Sequence, residues 1–331
     1  NSHTIILDEP DVYMHPDLQR RLIRYLRGRY PQVVVTTHSV EIMSEAQPDE
    51  MVVVRKSQAA SVSAETIPVV RQLARRIGSV QNIHLARLWR STVFLHIESK
   101  DLTLLKYLQN ILFPDSRAPI DAIPNMSIGG WDGWDYAVGT SMGLRNSLDE
   151  PIISYCIMDS DYYGPQEISR RTADAEKRGI QLHIWQKKEI ENYLLLPETI
   201  SRIISKSARP ASLPTVRDIN EKINTIAEEM ADYAADGIAA ELRRFDKRRT
   251  VASAGREART LISEKCERLG GMAALVSGKT LISKLSAWSR SEFKAGFGPH
   301  TIAAEMTVEE VTDEVRRVLT AIEKGTGFNH P

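Results

Sequence analysis

The chain has 331 residues, with 43 basic and 43 acidic side chains and therefore no formal net charge. This length predicts two or three domains at about 100–200 residues each. The balanced charge excludes a uniformly basic nucleic-acid-binding protein, so any such contact must be a local patch. Two cysteines, Cys156 and Cys266, are too few for a disulfide framework or a cysteine-rich zinc module. Because neither a membrane-spanning apolar run nor a signal peptide is evident, we expect a soluble, cytoplasmic protein that does not associate with membranes.

The first 55 residues combine short apolar strands with an acidic strand end. Thr4–Asp8 predicts a strand that closes on Asp8 and Glu9. In phosphate-handling α/β proteins, such a strand end holds a metal ion beside the attacking water. A helix and two further strands follow, and they are predicted at Asp17–Arg29, Val33–Val35 and Met51–Val54.

This stretch resembles the C-terminal half of an ABC-type ATPase head of the SMC/RecF kind, because it has the order strand–DEP–HP–helix–strand–TTHS. The resemblance implies that Asp8 is the Walker B metal carboxylate, that Glu9 is the general base, and that His38 is the switch histidine near the γ-phosphate of ATP. The alternative is that DEP forms only a turn and that His38 only caps the end of a strand.

The phosphate-binding loop of such a head is missing. The pattern GxxxxGK[ST] occurs nowhere in the chain, since Ser277–Thr280 (SGKT) has Ala273 where the first glycine belongs. We therefore expect the chain to be the C-terminal part of a longer protein, to need ATP only in the complete head, and not to hydrolyse ATP alone.

A second group of acids follows the predicted strands in the middle of the chain. Strands are predicted at Val93–Ile97, Ile152–Met158 and Ile180–Trp185, and helices alternate with them at Leu102–Leu112, Asp135–Leu148 and Gln166–Arg178. Such alternation implies a parallel sheet covered on both faces. Ligands bind beyond the carboxyl ends of parallel strands, which is where Glu98, Asp159 and Asp161 fall.

These acids predict a divalent-metal site. Asp159 and Asp161 are two residues apart, so in extended backbone their side chains point the same way. Carboxylates crowded together with Glu98 repel one another unless a cation binds them. Oxygen-only ligands suit Mg²⁺, Mn²⁺ or Ca²⁺ rather than zinc. Glu189 and Glu191 could bind a second ion, and two ions about 3.5–4 Å apart can clamp the attacking and leaving oxygens of a phosphodiester.

The acidic segments resemble a TOPRIM domain, the metal-binding fold of topoisomerases, primases and certain nucleases. Glu98–Asp101 (ESKD) corresponds to its first motif, with serine at the usual glycine, and Asp159–Asp161 (DSD) corresponds to its second. With Glu189–Leu195 (EIENYLL) and the ATPase-like start, the chain resembles an OLD-family (overcoming lysogenisation defect) nuclease that lacks its N-terminal ATPase half. Such proteins couple an ATPase head to two-metal DNA cleavage and commonly defend against phage.

The resemblance makes Glu98 and Asp159 the primary ligands of Mg²⁺ or Mn²⁺, with Asp161 supporting them. Asp101 would bind the same ion or a group behind it. The alternative for the pair Asp159 and Asp161 is a turn that merely follows a strand.

The resemblance also implies a second ion bound by Glu189 and Glu191, and it makes Lys279 a catalytic residue that stabilises the phosphate as negative charge builds on it. Two alternatives stay open. Glu191 could be an acid favoured by the dipole of a helix over 190–195, and Lys279 could be a surface lysine near the start of a helix.

The remaining sequence predicts helices and one basic surface. A long amphipathic helical run is predicted over Ile219–Arg249, and a packing helix within Thr307–Glu323 carries the stripe Val308, Val311, Val315, Val318 and Ile322. The densest basic cluster could track a DNA backbone without reading its sequence, and comprises Arg243, Arg244, Lys247, Arg248, Arg249, Arg256 and Arg259. The alternative is a solvated helix face that pairs with Glu228, Glu229 and Glu241.

The predicted fold is α/β, with a fragment of an ABC ATPase head, a parallel-sheet TOPRIM domain, a mostly helical insertion and C-terminal helices. The boundaries are 1–56 for the head, 57–91 for a linker and helix, 92–196 for the TOPRIM core, 197–270 for the insertion and 271–331 for the part that returns to the site. The predicted function is metal-dependent DNA endonuclease activity coupled to an ATPase in anti-phage defence, in a homo-oligomer formed through the heads. The alternatives are a TOPRIM effector that cleaves RNA such as tRNA, and a structural SMC-like ATPase without nuclease activity.

Overall fold

The structure is a computed structural model that describes residues 4–11, 14–37, 39–43, 45–46, 50, 52–54, 61–63, 92–98, 101–116, 119–147, 152–207 and 213–328. His38 and nearly all of the predicted linker and helix over 57–91 lie outside these residues. The chain divides into two compact units, and the second comprises Leu95–Asp121, Met126–Val138 and Ile153–Pro331. The protein is of the α/β class with parallel strand pairs, whereas the predicted domain boundaries stay predictions.

The first unit begins with a strand–helix–strand arrangement. Strand β1 (Thr4–Asp8) and strand β2 (Gln32–Thr36) pair in parallel, with Asp8 opposite Thr36, and helix α1 (Pro16–Arg29) connects them. A parallel pair needs such a crossover because a tight turn cannot join its strands. The predicted strands and helix of this region are confirmed, and Pro16 begins the helix one residue earlier than predicted.

One prediction about the following residues is wrong. After the short helix α2 (Val40–Met43), strand β3 (Val52–Val54) pairs antiparallel with strand β4 (Ser61–Ser63), which the sequence predicted to be linker. The small polar residues around Ser61 and Ser63 suggested a linker. In the structure, however, these residues pair with β3 through the backbone, and Val62 lies opposite Val53. Strand pairing through the backbone cannot be predicted from the polarity of the side chains alone.

The acidic residues lie on a second sheet, most of which belongs to the second unit. Its strand order is β6–β5–β7–β8, with ranges Val93–Ile97 for β5, Asn125–Ser127 for β6, Ile153–Met158 for β7 and Gln181–Ile184 for β8. β7 and β8 are parallel. β5 is buried along its whole length and β7 almost so, as expected for central strands covered on both faces. The helices that follow the strands are α3 (Asp101–Leu112), α4 (Trp134–Ser147) and α5 (Pro165–Lys177).

The predicted helical run over Ile219–Arg249 is helical for most of its length but is interrupted. The chain forms two helices there, α7 (Val216–Glu229) and α8 (Ala231–Phe245), after helix α6 (Pro197–Ser207). The apolar spacing of Ile226, Met230 and Ala234 continues across the break at helical intervals, so the sequence carries no periodic signal of it.

The C-terminal part consists of helices of different lengths. They are α9 (Val251–Leu269), α10 (Gly278–Phe293), α11 (Pro299–Glu305) and α12 (Asp313–Lys324), with short 3-10 helices at Met272–Ala274 and Val308–Glu310. The predicted stripe within Thr307–Glu323 is correct from Val311 onward, where the apolar residues are buried, but Val308 is 44% exposed. Val308 lies in the 3-10 helix Val308–Glu310, which a capping box of Thr307 and Glu310 begins, and not in α12, which carries the rest of the stripe after Val311.

No helix within the described ranges is both long enough and apolar enough to span a bilayer.

Candidate metal centre

Three carboxylates meet at the carboxyl ends of the two central strands. Glu98 follows β5, Asp159 follows β7, and Asp101 begins α3. One ligand oxygen from each lies within 4.8 Å of the others, so the group, which we call the acidic triad, could hold a metal ion. The sequence predicted Glu98 and Asp159 at this sheet edge, and β5 and β7 are neighbours that both end here. Asp101 was a candidate only through the TOPRIM resemblance.

Two members of the triad are buried. Asp101 is 2% exposed and Asp159 is 3% exposed. Burial, together with the other nearby carboxylates, raises the pKa of Asp101 to about 7 and that of Asp159 to about 9, and it also raises the pKa of Glu98. Oδ1 of Asp101 is buried and has no hydrogen-bond partner. A divalent cation fits this group, because it would satisfy that oxygen and the carboxylates are the hard ligands that Mg²⁺ and Mn²⁺ prefer.

Two hydrogen bonds hold Asp159 in position. Its Oδ1 accepts the backbone N–H of Ile190 at 3.2 Å, and its backbone carbonyl accepts the indole N–H of Trp131 at 2.8 Å. The indole stacks on the ring of Tyr163 with 3.8 Å between centroids, and the guanidinium of Arg171 lies 4.7 Å from the Trp131 ring. Sequence reasoning missed Trp131, although the glycine-rich segment around it was a visible signal.

Asp161 does not adopt the conformation that the sequence predicted. The expectation that it points the same way as Asp159 assumed extended backbone, but β7 ends at Met158 and Asp161 has a φ of 44°. Its N–H donates to the carbonyl of Lys188 at 3.0 Å, and its carboxylate forms an ion pair with the Lys188 ammonium at 3.1 Å. Asp161 therefore lies beside the acidic triad and is paired with Lys188. The assumption of extended backbone at Asp161 was wrong.

Glu189 is occupied by contacts within the protein. Its carboxylate accepts the backbone N–H of Lys279 at 2.7 Å and the hydroxyl of Ser277 at 3.1 Å, and it contacts the Lys188 ammonium at 3.2 Å. It also forms a capping box with Asn192 at the start of the 3-10 helix Ile190–Leu194. One carboxylate thus caps two helix N-termini, a role that its spacing from Glu191 did not reveal.

Glu191 and Lys279 lie next to the acidic triad. Glu191 is 3% exposed, and its Oε2 has no hydrogen-bond partner, while its Oε1 is 3.6 Å from the ammonium of Lys279. It sits in the first turn of a 3-10 helix rather than of the expected α-helix over 190–195. The charge of Glu191 contributes to the raised pKa of Asp101 after burial itself. Lys279, at the start of α10, is therefore brought to the acids from a distant part of the sequence.

The SGKT segment has a structural explanation other than phosphate binding. The side chain of Ser277 accepts the N–H of Thr280 and caps α10. A Cβ on Gly278 would lie 2.7 Å from the backbone nitrogen of Asn192 and 2.9 Å from the carbonyl carbon of Glu191. The glycine is thus needed for the close approach of α10 to the 3-10 helix that carries Glu191.

We expect Gly278→Ala to lower the free energy of unfolding by about 1–3 kcal/mol, because the added methyl group meets backbone atoms that cannot rotate away. Gly255→Ala is the matched control, since Gly255 also lies inside a helix and a methyl group added there would meet no atom within 4 Å. Gly255→Ala should raise the free energy of unfolding by up to about 1 kcal/mol, because alanine favours the helix more than glycine does. Urea denaturation followed by circular dichroism measures both, and equal effects of the two variants would contradict the close approach.

The N-terminal site residues lie at the end of β1. The carboxylate of Asp8 accepts a hydrogen bond from the hydroxyl of Thr36 on β2. Glu9 has a φ of 42°, and its N–H donates to the Thr36 carbonyl at 2.9 Å. His38, the third predicted residue, lies outside the described residues.

Several members of the predicted basic cluster are paired with acids. Arg244 contacts Glu241 at 2.7 Å and also donates to the hydroxyl of Tyr163. Arg248 and Arg249 form ion pairs of 3.0 Å with Asp246 and Glu257. Of the three acids predicted as helix partners, Glu241 pairs within the cluster, and Glu229 instead lies 3.9 Å from Lys284.

Comparison with known proteins gives one match at the start of the chain. Residues 2–44 match the family described as "AAA domain, putative AbiEii toxin, Type IV TA system". An AAA-domain region therefore occupies these residues. This region contains β1, α1 and β2, and with them Asp8, Glu9 and the position of His38. No curated protein matches the chain at a significant level.

Proposed function

We propose that the chain is a divalent-metal-dependent endonuclease of the TOPRIM type that works with an ATPase head, as in the OLD family. The observation that carries this proposal is the acidic triad, whose ligand oxygens lie within 4.8 Å of one another at the carboxyl ends of two central strands. Structural acids are normally paired or solvated. In this group Asp101 and Asp159 are buried, and one oxygen of Asp101 is unpartnered.

The reaction that fits the centre is hydrolysis of a phosphodiester. The oxygen of a water bonds to phosphorus and the water gives up a proton, while the bond from phosphorus to one sugar oxygen breaks and that oxygen takes up a proton. Mg²⁺ or Mn²⁺, when bound, supplies a Lewis acid at the phosphate and makes water a stronger nucleophile. Glu98, Asp101 and Asp159 would hold the ion.

Lys279 would act on the substrate rather than on the metal. Its side chain is 40% exposed, and its ammonium is 3.6 Å from Glu191, so it lies beside the acids and is also open to a phosphate. A positive charge fixed at this position stabilises the extra negative charge of the phosphorane-like transition state. Glu191 would keep the ammonium pointing toward the centre.

The ATPase part of the proposal rests on the AAA-domain region at residues 2–44. We propose that Asp8, Glu9 and His38 contribute to an ATP site in the complete head, and that paired heads bring two chains together. Control of a nuclease by a nucleotide-dependent head suits a defence protein that must stay inactive until phage infection. DNA is the proposed substrate, bound through its backbone by exposed basic side chains such as Lys247.

The description of the matching family favours one second candidate. Because it names a toxin of a toxin–antitoxin system, an effector that cleaves RNA such as tRNA is the alternative. The same acidic triad would serve, since the scissile bond is a phosphodiester in both nucleic acids.

Cleavage assays on the full chain test the proposal and separate the substrates. With Mn²⁺ we expect supercoiled plasmid to be nicked or linearised, and we expect Glu98→Gln to slow cleavage at least about 100-fold, as removal of a metal ligand should. Asp132→Asn is the control, because the side chain of Asp132 is 93% exposed. Cleavage of tRNA but not of plasmid would select the second candidate. Full activity of Glu98→Gln, or no cleavage of either nucleic acid, would overturn the proposal.

A further inference from the structure

Lys188 is a buried cation beside the acidic triad, and the sequence assigned it no role. Its ammonium lies 3.1 Å from Oδ1 of Asp161 and 3.2 Å from Oε2 of Glu189, and its side chain is 9% exposed. It also lies 4.8 Å from the centre of the Tyr162 ring. A buried ammonium is costly unless it is paired, and here two carboxylates pair with it.

The backbone holds Lys188 in this position from both sides. Its N–H donates to the carbonyl of Ala274 at 2.9 Å, and its own carbonyl accepts the N–H of Asp161 at 3.0 Å. The carbonyl of the preceding residue, Lys187, accepts the hydroxyl of Ser160 at 2.8 Å. The placement of the ammonium is therefore part of the fold and not one rotamer of a free surface chain.

The acids around the centre form two groups with different surroundings: the acidic triad, and the pair Asp161 and Glu189. Within the described part of the chain, Glu98, Asp101 and Asp159 form no ion pair. Asp161 and Glu189 share the single positive charge of Lys188, and the other oxygen of Glu189 is bonded to Ser277 and to the backbone of Lys279. Among the described residues, no cation pairs with the first group, whereas Lys188 already pairs with the second.

We infer that the centre takes a single divalent cation, at the acidic triad, and that Lys188 supplies the second positive charge where a two-metal site would hold its second ion. A second divalent ion on Glu189, whether held with Glu191 as the resemblance implies or with Asp161, would have to displace the buried ammonium of Lys188 or lie against it, and both are unfavourable. This inference rests on the proposed function, because it concerns the number of ions at the same site.

The number of bound ions tests the inference without any activity measurement. The probe is Mn²⁺, titrated into the full chain, with free ion measured by electron paramagnetic resonance and bound ions located by anomalous diffraction. We expect one Mn²⁺ per chain in the wild type and two in Lys188→Met, which keeps the length of the side chain and removes its charge. Lys188→Arg, which keeps the charge, should bind one.

Lys187→Met is the matched control. Lys187 is the neighbouring residue, but its ammonium donates to the carbonyl of Asn192 at 3.1 Å and lies over the Tyr193 ring, and the acid that influences it is Glu314 rather than a member of the triad. The Lys187→Met variant should bind one Mn²⁺, as the wild type does.

Each other outcome has a distinct meaning. Two ions in the wild type would overturn the inference and leave the proposed function standing. No ion in the wild type would overturn both. One ion in Lys188→Met would show that Lys188 does not take the place of a cation. If Lys188→Met does not fold, the count for the wild type alone still decides between one ion and two.

Discussion

Replacing Glu189 with alanine is expected to lower the free energy of unfolding by about 3–5 kcal/mol in buffer containing EDTA. The substitution removes the acceptor for the N–H of Lys279 and the hydroxyl of Ser277, and it takes one counter-ion from buried Lys188. It also uncaps the 3-10 helix that carries Glu191. Several buried polar groups lose their partner together, which is one of the few mechanisms that give effects of this size.

Urea denaturation measures this effect, and two further variants interpret it. Glu189→Gln keeps an oxygen at the capping position and should lose less than Glu189→Ala. Glu221→Ala is the control, because Glu221 forms an exposed ion pair with Arg217, and loss of such a pair changes stability little. If Glu189 served only as a metal ligand, its removal in EDTA would relieve repulsion and stabilise the protein. An increase in stability of Glu189→Ala would therefore contradict the structural role.

The opposite sign is expected at the acidic triad. Asp159→Asn should leave the metal-free protein equally stable or more stable by about 1–2 kcal/mol at neutral pH. Burial raises the pKa of Asp159 to about 9, so this carboxyl must take up a proton when the protein folds, a cost that the amide does not have. The amide can still accept the N–H of Ile190 through its oxygen. The same variant should lose the stabilisation by Mn²⁺, which for the wild type reaches about 2.7 kcal/mol at 100 times the dissociation constant.

Thermal unfolding with EDTA and with Mn²⁺ measures both parts of this expectation. The wild type should melt at a higher temperature with Mn²⁺, whereas Asp159→Asn should melt at the same temperature in both buffers. Asp132→Asn, at an exposed position, should behave as the wild type does. An undiminished shift with Mn²⁺ in Asp159→Asn would remove Asp159 from the metal site. A large loss of stability in EDTA would mean that its charge is already compensated.

The fold was predictable where local patterns determine it. The apolar runs that became β5 and β7 are long, unbroken and followed directly by acids, so both the strands and the sheet edge could be inferred. The break between α7 and α8 could not be inferred, because the apolar interval continues through Met230. The pairing of β4 with β3 could not be inferred either, because it depends on backbone hydrogen bonds and the small polar residues of β4 give no strand pattern.

The site was predictable only in part, for a related reason. That Glu98 and Asp159 meet follows from strand order, which the alternation of elements suggests. The role of Glu189 depends on contacts with the start of α10, about 90 residues later in the chain. The position of Lys188 depends on its ion pairs with Asp161 and Glu189 and on its bond to the distant Ala274 carbonyl. The left-handed conformation of Asp161 likewise follows from its bond to the Lys188 backbone rather than from the residues around it.

The indole of Trp131 gives this centre an optical reporter of its own. Its N–H is bonded to the backbone carbonyl of Asp159, and its ring contacts the phenol of Tyr163 and the guanidinium of Arg171. Tryptophan fluorescence responds to nearby charge. A metal ion bound by Asp159 therefore changes the electric field at the Trp131 indole, which is hydrogen-bonded to the same residue. Occupancy of the centre is thereby coupled to the colour and intensity of light from a native side chain, without any added dye.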